Sequence, residues 1–158
     1  YPSNRMTASS FIYEFLLENG YQDLINQYEL APFELNVQTA ERTLIDKVYA
    51  LGDYYLDDKI TEHSRHIYDI YKLLRVVDLN DELKGLIADV AAERKNHAAC
   101  LSAQDGVDIQ ALLSRIVSEN AYKADYESIT MALLFEKVDY ATAIKAVQRI
   151  IDSKVFVM

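Results

Sequence analysis

Four glycines and two prolines are all this 158-residue chain offers for tight turns. A β-sandwich or barrel needs a turn every ten residues or so, many of them with positive φ, and glycine is the residue that supplies it. The shortage points to long helices joined by few connections. Apolar residues make up 51% and charged residues 26%, so the chain can bury a core and is not of disordered composition. Its length bounds it at one domain, or one and a fraction.

The 16 basic against 25 acidic side chains give a net charge of −9. A generally basic surface gripping nucleic acid through its phosphates is therefore excluded, although a local basic pocket is not. The single cysteine, Cys100, leaves no intramolecular disulfide and disfavours a cysteine-based zinc site. No apolar run approaches the roughly 20 residues of a membrane span, and no signal-peptide pattern opens the chain. A cytoplasmic protein is expected. The first residue is Tyr1, not Met, as in a processed chain or a fragment.

Along the chain, Phe11, Ile12, Phe15 and Leu16 fall at helical spacing from about Thr7 to Glu18, and Asn19-Gly20 supplies a stop. Tyr21, Leu24, Ile25 and Tyr28 add one or two turns. Phe33, Leu35 and Val37 then alternate with polar residues, the period-2 mark of a strand. One strand cannot satisfy its own backbone, so this one reads as an orphan of a sheet missing from the chain, with exposed apolar side chains and an edge open to self-association. Everything after it is helical. Thr39 is placed to cap a helix with Leu44, Val48, Leu51 and Tyr55 on one stripe, and Ser64 to cap the next, with Ile67, Ile70, Tyr71, Leu74 and Val77 inward. Gly52 and the polar stretch Asp57–Glu62 let the chain reverse between them. Further helices are expected at Leu83–Arg94, Ile109–Asn120, Tyr126–Glu136 and Ala141–Ser153, with Asp108 and Asp139 as caps. The fold class is mainly α: a helical bundle or array behind one short strand, with residues 1–38 and 39–158 as its two parts.

Two charged residues interrupt the amphipathic pattern. Lys47 falls between Leu51 and Tyr54 around its helix, at the border of the apolar stripe. Such a lysine can simply snorkel, its stem covering apolar surface. Asp69 lies mid-helix, four residues after Arg65 and three before Lys72, where an i,i+4 ion pair with Arg65 on a solvated face is the plain reading. The sharper one brings Lys47, Arg65 and Asp69 together across two antiparallel helices, as an anion pocket containing a carboxylate. His63 with His66, and His97 with Cys100, share i,i+3 spacing but lack a third ligand for zinc. No Gly-rich phosphate loop or nucleophile elbow is present. The 12 tyrosines sit at core-edge spacing, as packing residues.

Glu41–Leu74 resembles the AbiEii/AbiGii-type abortive-infection nucleotidyltransferase toxins of bacteria. The residues that carry the likeness are Pro32-Phe33, then Arg42-Thr43 and Asp46-Lys47-Val48-Tyr49-Ala50-Leu51, then Ser64-Arg65-His66-Ile67-Tyr68-Asp69-Ile70-Tyr71-Lys72-Leu73. They match, in order, the family's R-T-x-x-[ED]-K-x-x-A-L and S-R-H-x-Y-D-[LI]-Y segments. The resemblance implies nucleotidyl transfer from a nucleoside triphosphate to RNA, tRNA in particular, in a type IV toxin–antitoxin system. It implies Lys47 and Asp69 as catalytic residues, and Lys47 and Arg65 on phosphate. Asp69 would orient Lys47 or the acceptor hydroxyl. The family's Mg²⁺ loop, a G-S-x-x-D-x-D pattern, has no counterpart between Tyr1 and Ala31. The expectation is therefore the C-terminal part of such a toxin, inactive alone, holding neither Mg²⁺ nor nucleotide and forming no stable antitoxin complex. A non-catalytic helical interaction domain is the competing reading.

Overall fold

The computed structural model describes residues 3–157. The chain is mainly helical and separates into two compact units that divide between Thr39 and Ala40.

The first unit holds two strands and two short helices. β1 (Ser3–Ala8) pairs antiparallel with β2 (Phe33–Gln38), in a register that sets Met6 opposite Leu35 and Ala8 opposite Phe33. The period-2 reading of Phe33–Val37 is thus a strand, but not an orphan. Its partner, Ser3–Ala8, carries no apolar alternation to announce a strand. That helix, α1 (Phe11–Glu18), starts later than Thr7 because the Ser10 hydroxyl accepts from the Tyr13 N–H at 3.0 Å. It stops at Asn19, and Gly20 takes up φ +75°. After α2 (Gln22–Gln27), the only buried apolar side chain among the described residues of this unit is Ile25. Phe11 is 90% exposed, and Ile12, Phe15, Tyr28 and Phe33 are all exposed as well.

The second unit is built around α3 (Ala40–Leu56), whose Leu44, Ile45, Val48, Tyr49 and Leu51 are fully buried. α4 (Arg65–Leu73) packs against it, and α9 (Tyr140–Ser153) packs against α4 and α6 (Ile109–Ser118). α5 (Asp81–Lys95) and a 3-10 turn, Leu101–Ala103, lie along the other side of α3. Asp108 and Asp139 cap α6 and α9 as expected, each accepting from an N–H three residues on. Between these helices, α7 (Lys123–Asp125), a π turn (Tyr126–Thr130) and α8 (Met131–Leu133) run continuously. The helix foreseen to Glu136 therefore starts earlier and ends sooner. Tyr49, Tyr122, Tyr126 and Tyr140 are core residues, and the hydroxyls of Tyr122 and Tyr126 donate to the carbonyls of Leu51 and Val138.

Two local expectations are corrected. Gly52 does not reverse the chain. It lies inside α3 at a close approach, where an added Cβ would stand 2.8 Å from Ser102 Cβ and 2.9 Å from Leu112 Cδ2. The reversal starts at Asp58, in the left-handed region at φ +53°, with Lys59 N donating to Tyr54 O and Asp58 N to Tyr55 O in a Schellman closure. Ser102 is pinned by its own hydrogen bonds and cannot retreat, so the clash outweighs alanine's better helix propensity. Gly52→Ala should lower stability by about 1–2 kcal/mol, seen as a Tm drop of roughly 3–8 °C. An unchanged Tm would show that the 3-10 turn yields.

Ser64 holds the N-cap position of α4, as expected, but its side chain does not cap the helix. Its backbone is in the helical region. Its buried hydroxyl lies 2.7 Å from the Thr130 hydroxyl. Capping falls to Asp125, whose carboxylate accepts from the N–H groups of Glu62 at 2.8 Å and Ser64 at 3.2 Å.

Candidate functional site

The return of α4 along α3 places Lys47 opposite Asp69, with Nζ 2.8 Å from Oδ2. About a third of each side chain reaches solvent, so the pair is held by its surroundings yet open to a ligand. Lys47 is thus not a free snorkelling lysine, and its ammonium ends on a carboxylate. His66 is the third member. It is buried, with Nδ1 3.5 Å from Lys47 Nζ and 3.7 Å from Asp69 Oδ2. Burial pushes the Asp69 carboxyl up, but hydrogen bonds from His66 and Lys47 outweigh it and hold the group below the usual carboxylate range.

Arg65 does not join the pair. It is exposed and forms no ion pair among the described residues, so the i,i+4 bridge to Asp69 is absent. Lys72 likewise leaves Asp69 and pairs with Glu136 at 2.6 Å. Asp69 turns inward because Lys47 offers a half-buried partner, whereas Arg65 on the open face would contribute only a few tenths of a kcal/mol.

The histidines form part of a ring stack. Tyr54 and His63 lie with centroids 3.5 Å apart and planes 12° from parallel, and His66 is near-parallel to both. Nδ1 of His63 and Nε2 of His66 are buried without a hydrogen-bond partner among the described residues. Burial, then the charges of His66 and Arg65, lower the His63 pKa, so this ring favours its neutral form. Among the described residues, no group of three His, Cys, Asp or Glu side chains is placed to hold a metal ion. Mg²⁺ asks for several hard oxygen ligands, and the pair offers one carboxylate already occupied by an ammonium. These residues do not fit that ion.

Elsewhere on α3 stands a charged lattice that pattern reading missed. Arg42 donates through Nε to Asp46 at 3.0 Å and through Nη1 to Glu93 at 2.9 Å. Arg94 bridges Asp46 at 3.1 Å and Asp53 at 2.6 Å, with its guanidinium over the Tyr49 ring. The lattice joins α3 to α5 through residues on a different face of α3 from Lys47. One signal could have found it: Arg42 and Asp46 share a helix face, and Glu93-Arg94 end the next long amphipathic helix.

Several positions of the two motif segments have a physical task. Arg42 and Asp46 tie α3 to α5, Ser64 pins the entry to α4, and His66 packs beneath the Lys47–Asp69 pair. No helix among the described residues is long and apolar enough to cross a membrane. Neither a curated protein nor a solved structure matches the chain. The family model described as nucleotidyl transferase AbiEii toxin, type IV TA system, matches residues 8–152, nearly the whole of it. The chain belongs to the AbiEii family of nucleotidyltransferase toxins.

Proposed function

We propose that this chain forms the part of a nucleotidyltransferase that holds a nucleoside triphosphate and directs transfer of its nucleotide to an RNA acceptor, tRNA in particular. The observation that supports this most is the half-buried Lys47–Asp69 pair with His66 beneath it, in a member of a nucleotidyltransferase family.

In the reaction an acceptor hydroxyl oxygen forms a bond to the α-phosphorus, the bond from that phosphorus to the α–β bridging oxygen breaks, and pyrophosphate leaves. The hydroxyl proton passes to solvent water. Such a step is catalysed chiefly by alignment and charge stabilisation. The Lys47 ammonium has three donors; Asp69 occupies one, and His66 Nδ1 lies 3.5 Å away. The remaining donor capacity faces phosphate oxygens in this reading, whose charge rises as the leaving group departs. Asp69 is a positioning residue for Lys47: its lowered pKa suits a fixed acceptor better than a group that takes up a proton. Arg65, exposed on the same helix, is available to a phosphate as a fork.

Mg²⁺ would neutralise the triphosphate and align the attacking and leaving oxygens. Its carboxylates come from outside these residues in this reading, and the chain alone is inactive. Supplying radiolabelled triphosphates and total RNA to the intact toxin tests the proposal. Label in RNA that depends on Lys47 supports it; label in protein, or none, overturns it. An interaction domain would leave Lys47 with no such dependence.

A further inference from the structure

The protein carries a net charge of −9, yet one face of α4 and the neighbouring end of α9 gather cations. At about 100° per residue, and starting beside Asp69 at the edge that meets α3, Arg65, Lys72, Tyr68, Arg75 and Tyr71 follow one another around the outward side of α4 and its C-terminal continuation. The buried side chains Ile67, Ile70 and Leu74 take the opposite side. The Arg75 guanidinium lies over the Tyr71 ring at 4.8 Å and donates to its hydroxyl at 2.8 Å. Arg149 and Lys145 of α9 line the same groove of about 290 Å³ as Tyr71 and Arg75. Beside this surface, Glu136 bridges Lys72 at 2.6 Å and Arg75 at 3.0 Å, and the preceding residue, Phe135, is fully exposed at 105%.

A carboxylate seated between a lysine and an arginine occupies the place a phosphate oxygen would take. Cations interleaved with rings, beside an unsupported phenylalanine, match single-stranded nucleic acid: the charges follow the backbone and the rings stack on bases. We infer that Arg65, Lys72, Arg75 and Arg149, with Phe135 as a stacking ring, form the track along which a single-stranded RNA acceptor reaches the Lys47–Asp69 pair. Glu136 is the internal anion the RNA displaces. The inference rests on the catalytic reading above for its direction, but its test does not need transfer.

Binding of a labelled single-stranded RNA of roughly a dozen nucleotides is followed by fluorescence anisotropy across a salt series. The double variant Lys72→Ala/Arg75→Ala should weaken binding about ten-fold and flatten the log–log salt slope by roughly 1.4, two single-strand phosphate contacts' worth. Phe135→Ala should weaken it by about ten-fold with the slope unchanged. Glu136→Gln should tighten binding roughly three-fold as one competing charge disappears, a gain that a merely structural ion pair would not produce. These positions are exposed or half-buried, and thermal melts of each variant check the fold. Wild-type affinity in the double variant and in Phe135→Ala overturns the track, as does weaker binding in Glu136→Gln. A preference for duplex RNA that ignores Phe135 overturns it too. If track variants lose RNA while the intact toxin transfers nothing, the track stands and the catalytic reading falls.

Discussion

Lys47→Ala in the intact toxin is expected to cut nucleotide transfer by about two to three orders of magnitude, the loss found when one preorganised donor to a developing charge is removed. Asp69→Ala should follow it closely, because the ammonium loses the 2.8 Å contact that fixes its direction. Asp69→Asn keeps the shape and should retain more activity than alanine. The thermal transition of all three should move little: the side chains are about a third exposed and neither belongs to the apolar stripe, so the pair contributes about 1 kcal/mol or less. The pH dependence has a definite sign. The Asp69 pKa is lowered in the fold, so the pair's contribution is complete above the ordinary carboxylate range and is lost only as pH falls through the lowered folded value. An acid limb of activity near pH 6 would therefore belong to another group, and it should persist unchanged in Asp69→Asn. Label transfer from a radiolabelled triphosphate, measured beside a melting curve, separates the two effects. Full activity in Lys47→Ala refutes its role.

Much of this arrangement was legible in the residues, and the remainder failed for identifiable reasons. Helices with a one-sided apolar stripe, such as α3, α6 and α9, declare themselves through spacing, and their aspartate caps through the N–H three residues on. The Lys47–Asp69 pairing could be anticipated because a border lysine and a mid-helix aspartate need partners and the intervening reversal sets them at similar heights. β1 was invisible because Ser3–Ala8 is exposed over almost its whole length and carries no alternation to read. Gly52 and Ser64 misled in the same way: glycine commonly means a turn and serine a cap. Here the first marks close packing against Ser102 and Leu112, and the second a buried hydroxyl on Thr130. Contacts across 50 or more residues decide both, and no local pattern reports them. His66 likewise gives no local sign of its place beneath the pair, which depends on the packing of α4 on α3.

The charged lattice between α3 and α5 gives the largest stability effect expected in the molecule. Asp53 is 13% exposed and accepts from Arg94 Nη2 at 2.6 Å and from the Ser102 N–H at 2.7 Å, while the Ser102 hydroxyl, 2.6 Å away, divides its one proton between Asp53 and the Tyr49 carbonyl. Removing the carboxylate strands a buried backbone N–H and one arm of Arg94, whose Nε already lacks a partner among the described residues. Asp53→Ala should therefore cost about 3–4 kcal/mol, the price of leaving buried polar groups and a half-compensated charge unpaired. Over a chain of this size that is a Tm fall of roughly 6–16 °C. Asp53→Asn should recover part of it, because an amide oxygen can still accept from Ser102 while the ionic attraction to Arg94 is lost. The effect on transfer should be indirect: the 3-10 turn and α5 loosen against α3, and Lys47 loses the rigid helix that aims it. Transfer by Asp53→Ala should thus be recoverable at low temperature, whereas Lys47→Ala stays inactive at every temperature. A Tm within 2 °C of the wild type, well short of the predicted fall, would mean that Arg94 and Ser102 find water or Asp46 instead, and that the lattice is a surface network with little hold on the fold.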